Sequence, residues 1–79
     1  MKVFVTDGYA RAALAVTRSL GAKGHQVFVG SESERSLASS SKYCHLGVSY
    51  PNPAEEPEAF VEFLIDRVEQ FGIEVLMPV

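Results

Sequence analysis

One cysteine, Cys44, stands in the whole chain, which rules out an intramolecular disulfide and suits a reducing compartment. It cannot seed a thiolate metal site, and His25 and His45 have no partner at ligand spacing. Basic residues are few: 7 Lys and Arg stand against 10 Asp and Glu, for a net charge of -3. Non-specific nucleic-acid binding relies on a positive footprint, so the balance argues against that partner. No apolar run approaches the roughly 20 residues of a membrane span. The opening "MKVFVTDG" is too short for a signal peptide, and Asp7 interrupts it. The expectation is a cytoplasmic protein with no membrane and no nucleic-acid partner. Its 79 residues hold one domain, 1–79, with a thin core.

Familiar catalytic patterns are missing too. Lys42 directly precedes Tyr43, so no Tyr-x-x-x-Lys oxidoreductase pair exists. The spacings support no Ser-His-Asp or Cys-His set, and no acid pair follows the first apolar run as a phospho-receiver requires. Glycine is sparse where a dinucleotide fingerprint would need it. Gly8, Ala10 and Ala13 occupy the three glycine positions of a relaxed G-x-G-x-x-G, with one true glycine among them.

What is present alternates. Lys2 to Thr6 carries consecutive Val3, Phe4 and Val5, the pattern of a strand buried on both faces. From Ala10 to Lys23 the small and apolar residues recur at helical spacing, with Gly21 and Gly24 as stop signals. Gln26 to Gly30 repeats the strand pattern. "SESERSLASSSKYC" reads as a polar loop with room for a short helix from Ser36 to Ser41; its serine run is read as low complexity at Ser39 and Ser40. His45 to Tyr50 is a weak edge strand with Leu46 and Val48 on one face. After a proline-rich connection, a helix begins near Pro57. Phe60, Val61, Leu64, Val68 and Phe71 form its apolar stripe, Glu62, Asp66, Arg67 and Glu69 face water, and Gly72 closes it. Ile73 to Val79 is the last strand.

This β-α-β-(short α)-β-α-β order predicts an α/β, Rossmann-like doubly wound parallel sheet of about four strands, in the order 3-2-1-4. Ligands of such sheets bind beyond the carboxyl ends at the switch point, here between the first and fourth strands. One lip is Thr6 to Arg11; the other would follow Val79. The chain stops on the apolar "VLMPV", so either Val79 is a cut boundary or another chain covers that edge, for example a second copy.

The first turn holds the candidate chemistry. A helix N-terminus offers unpaired amide donors and partial positive charge, which suits phosphate or carboxylate. Gly8 lets the backbone turn and a ligand approach. Asp7 either caps the helix or meets a ligand hydroxyl or amine. Tyr9 covers the turn or stacks on a ligand. Arg11 opposes the dipole in the first turn. It is therefore a solvated arginine, or a partner of Asp7 or Glu32, or the seat of an anion. Glu32, Glu34 and Arg35 follow the second strand, where a dinucleotide fold places a ribose-binding acid; a solvated charged loop is the plainer reading. Tyr43 packs under the loop.

"TDGYARAALAV", the serine-rich "SSSKYC" and the closing "IEVLMPV" resemble the N-terminal, pre-ATP-grasp domain of ATP-grasp ligases, nearest to the carbamoyl-phosphate-synthase-like and carboxylate–amine ligases. The resemblance spans essentially the whole chain. It implies an N-terminal fragment of an enzyme in which ATP, with Mg²⁺, phosphorylates a small carboxylate and an amine or ammonia displaces the phosphate. It also implies that Asp7, Gly8, Tyr9 and Arg11 face the substrate. ATP and metal would be held by downstream ATP-grasp domains, so this chain alone is expected to be inactive. Two other readings remain: the N-terminal half of an NAD(P)-binding oxidoreductase, and a non-catalytic module that self-associates through its last strand.

Overall fold

A computed structural model describes residues 1–33 and 36–78. The elements are β1 (Lys2–Val5), α1 (Arg11–Ala22), β2 (Gln26–Ser31), β3 (Cys44–Ser49), α2 (Pro57–Phe71) and β4 (Val75–Met77). The four strands make one parallel sheet in the order β3-β2-β1-β4, the Rossmann-like arrangement expected from the alternation.

Alternation along β1 and β2 sends valines to one face and phenylalanines to the other. Val3, Val5, Val27 and Val29 form one core with Ala13 of α1 and Ala38 of the serine loop, and Ala10, Leu14, Val16 and Leu20 pack against it. Phe4 and Phe28 point to the opposite face, where Phe28 stacks on Phe71 of α2 with ring centroids 4.8 Å apart. Helices on both faces explain why β1 and β2 carry unbroken apolar runs.

α1 buries Thr17 completely, and the Thr17 hydroxyl donates to the Ala13 carbonyl at 2.7 Å, so the buried polar group has a partner. Gly21 proves to lie inside α1 rather than to stop it, because the backbone of Tyr43 runs so close that a Cβ there would sit 2.7 Å from the Tyr43 carbonyl oxygen. α2 opens on Pro57 with Glu58 in its first turn, which suits the dipole, and closes at left-handed Gly72.

Five local expectations are revised. The span from Ser36 to Ser41 forms turns, not a helix, held by side-chain bonds from Ser36 and Ser39 that compete with helical pairing. The last strand is shorter than expected: Glu74 donates to the Lys2 carbonyl at 2.9 Å, but ladder pairing spans only Val75 to Met77, and Val79 lies outside the described residues. β3 begins at Cys44 and slips by one residue against β2: Val27 faces Cys44, then Phe28 faces Leu46, so His45 bulges. Leu46 is left exposed at the sheet edge. In α2, Val61 turns outward although it was counted in the stripe. Arg67 is half-buried, its guanidinium 4.5 Å from the Phe63 ring centre.

Candidate functional site

The switch point lies between β1 and β4, where the Thr6 amide donates to the Met77 carbonyl at 3.2 Å. The turn Thr6 to Ala10 crosses its mouth and delivers the chain into α1. Asp7 takes a left-handed backbone, φ 53°, the one non-glycine residue with positive φ among those described. That conformation reverses the chain direction just beyond the sheet.

Asp7 does not cap α1. The N-cap is Ala10, with no side-chain hydrogen bond, and the first turn holds no acidic residue. Asp7 supports the turn through its backbone instead: its carbonyl accepts the Ala10 amide at 2.9 Å, and its own amide donates to the Tyr50 hydroxyl at 3.0 Å. The carboxylate lies 3.4 Å from Thr6 Oγ1 and 3.5 Å from Tyr50 Oη, both long contacts.

Gly8 is buried and fully engaged. Its amide donates to the Gly30 carbonyl at 3.0 Å, and its carbonyl accepts the Ala38 amide at 2.8 Å. A Cβ there would lie 2.5 Å from both Ser36 Oγ and Val29 Cγ1. The glycine is required so that the serine loop can close over the turn. Ser36 and Ser39, read from the sequence as parts of a plain polar loop, knit that loop together.

Tyr9 and Arg11 are exposed on the outer side of the turn. Arg11 forms no ion pair among the described residues, so the pairing with Asp7 or Glu32 suggested by charge does not occur. Glu32 is exposed just past β2, and its carbonyl accepts the Ser49 hydroxyl at 3.0 Å. Glu34 and Arg35 lie outside the described residues. Tyr43 is half-buried under the loop, with Lys42 Nζ 5.2 Å from its ring centre.

Tyr50 is the residue that the sequence did not single out. It is 5 % exposed, its ring edge meets Phe60 of α2 at 4.9 Å, and its amide donates to the Ser31 carbonyl at 2.8 Å. Burial pushes its phenol above the ordinary value, and the nearby Asp7 and Tyr9 charges add to this against the bond from the Asp7 amide. The only sequence signal for Tyr50 was an aromatic at the end of a weak strand. Its partner lies 43 positions away.

Cys44 is half-buried, and burial pushes its thiol up, against bonds with the Leu46 and Val29 backbone. A thiol so placed is a poor nucleophile. Among the described residues no cluster of His, Cys, Asp and Glu is positioned to hold a metal ion, and no helix is long and apolar enough to cross a membrane.

Comparison with known proteins returns no matching family model, no matching curated protein and no matching solved structure. The functional reading rests on the turn itself: first-turn amides with no side-chain cap, an exposed guanidinium with no ion pair among the described residues, and an aromatic ring, at the switch point of a parallel sheet.

Proposed function

We propose that this chain is the substrate-side domain of an ATP-grasp ligase, a carboxylate–amine ligase of the carbamoyl-phosphate-synthase-like kind. The observation that carries the reading is the charge environment of α1. Its N-terminus has no side-chain cap and no first-turn acid, and the residue in its first position is Arg11, which has no ion pair among the described residues. Amide donors, dipole and guanidinium all favour one small anion. A substrate carboxylate would rest above Arg11, with Tyr9 beside it and Asp7 behind it.

ATP and Mg²⁺ would convert that carboxylate to an acyl phosphate. They belong to ATP-grasp domains elsewhere in the enzyme, and this domain's part is to bind and orient the acceptor and to shield one side of the cleft from water. The bonding of Gly8 disfavours the oxidoreductase alternative. A dinucleotide fingerprint needs backbone open to a pyrophosphate. Here both polar groups of the glycine are spent on Gly30 and Ala38.

The same reading assigns the open side of β4. Among the described strands, β4 pairs only with β1, and Leu76 is exposed beside Val61 and Ile65. An apolar groove of about 340 Å³ runs there, lined by Val61, Leu64, Ile65, Val68, Glu69 and Leu76. In a ligase the following domains would cover it; in the isolated chain a second copy would do so, giving self-association.

The test is a titration of the ¹⁵N-labelled chain with succinate and L-glutamate, then with NADH and NADPH. The expected result is carboxylate-dependent shifts centred on Asp7 to Arg11, with no nicotinamide binding. Micromolar affinity for NADH or NADPH would overturn the reading. Incubation with ATP, Mg²⁺ and the same carboxylates should release no ADP above background.

A further inference from the structure

We propose that Tyr50 is the positioning residue of the switch-point turn, holding Asp7 left-handed and thereby aiming Tyr9 and Arg11. As a statement about the turn this stands alone; as a statement about substrate affinity it rests on the ligase reading above.

A left-handed backbone is disfavoured for residues that carry a side chain, although Asp adopts it more readily than most. Asp7 is not a cap, its carboxylate makes only long contacts, and the following bond from the Ala10 amide is available to other turn types. Among the described residues, the one short bond that reaches Asp7 from outside the turn is the 3.0 Å contact between its amide and Tyr50 Oη. The hydroxyl is itself fixed from several sides. Tyr50 follows β3 directly, its amide is bonded to Ser31, and its ring meets Phe60 at 4.9 Å and Phe63 at 6.5 Å. Gly30 completes the seat. A Cβ there would lie 2.8 Å from Tyr50 Cε2 and 2.7 Å from Phe4 Cζ, so only glycine admits both rings.

The geometry has a consequence for the site. β3 and α2 are distant from the turn in sequence, yet both bear on the conformation of Asp7 through one phenol. A shift of α2 against the sheet would move Phe60, then Tyr50, and would release the turn. The anion lip is set from the far edge of the sheet rather than by the residues that form it.

The experiment compares Tyr50→Phe, Asp7→Gly and the double variant by φ-sensitive couplings and amide shifts. Tyr50→Phe keeps the ring and removes only the hydroxyl. Residue 7 is expected to leave positive φ, with amide shifts moving through Gly8 to Arg11. Adding Asp7→Gly is expected to restore the turn, because glycine takes positive φ without penalty. Wild-type couplings at Asp7 in Tyr50→Phe would overturn the proposal. So would a double variant whose turn moves as far as that of Tyr50→Phe. Should Tyr50→Phe fail to fold, the double variant must recover the fold, and its failure would overturn the proposal as well. In the functional arm, Tyr50→Phe should weaken succinate binding about three- to tenfold, the loss of one neutral hydrogen bond. If the wild-type chain binds no succinate, the ligase reading fails while the couplings still decide the role of Tyr50.

Discussion

The two helices lie on opposite faces of one sheet and meet it in different ways. α1 comes in through alanines and a threonine, and buries Ala13 and Thr17 completely against a bed of valines. α2 comes in through rings, Phe60 against Tyr50 and Phe71 against Phe28, and has no fully buried residue. Small side chains let a helix settle close to a sheet, where shape fit is strict. Rings reach across a larger gap and leave neighbours such as Val61 and Ile65 facing outward, 52 % and 56 % exposed. The close side carries the candidate site, and the open side carries the exposed groove. One side is packed closely at the turn, and the other leaves apolar side chains open.

The contrast can be broken or sharpened by substitution. The largest effect is expected where both sides lean on the same strand. Phe4→Ala, at a position with no exposure, should cost about 3–5 kcal/mol by chemical denaturation. A cost below about 1 kcal/mol would mean that the sheet is not the shared core. Next comes the close side: Ala13→Leu should lose about 1–3 kcal/mol by overpacking against the valines. Gly8→Ala should fall in the same range, because its new methyl meets Val29 and Ser36. A neutral result at either position would show that α1 is as loosely seated as α2.

A pH series adds a subtler comparison. The Tyr50 phenol is held above its ordinary value in the folded chain, so the unfolded chain loses that proton first. The contribution is complete below the ordinary value of about 10 and is lost as pH rises through the higher folded value. Urea midpoints should therefore fall above pH ~10, and less steeply in Tyr50→Phe. Equal slopes in the two proteins would remove Tyr50 from the account. The smallest effect on stability belongs to the open side. Ile65→Lys should change stability by no more than about 0.5 kcal/mol, while abolishing any concentration-dependent association seen by sizing.

Much of this was legible from pattern alone. Unbroken apolar runs at Val3 to Val5 and Val27 to Val29 announced strands covered on both faces, and the alternation with helices led to the order 3-2-1-4. The turn from Asp7 to Arg11 was legible as a location. The bonding inside it was not. Asp7 looked like a cap because its residue type favours that role, yet a tertiary hydroxyl took its amide and the helix began uncapped at Ala10. Gly8 looked like an opening for a ligand, but Ala38 and Ser36 close over it. The serine run looked featureless because side-chain bonds between Ser36 and Ser39 leave no periodic signal.

Composition and spacing by themselves determined the class of fold, the parallel pairing and which residues stand at the switch point, because burial on two faces and right-handed crossovers leave few alternatives. Only the tertiary structure decided what those residues do there. The partners of Asp7 and Gly8 are Tyr50, Gly30 and Ala38, brought in from β2, the serine loop and the end of β3. A hydrogen bond between residues 43 positions apart is set by the packing of the strands that carry them, and local sequence holds no record of it.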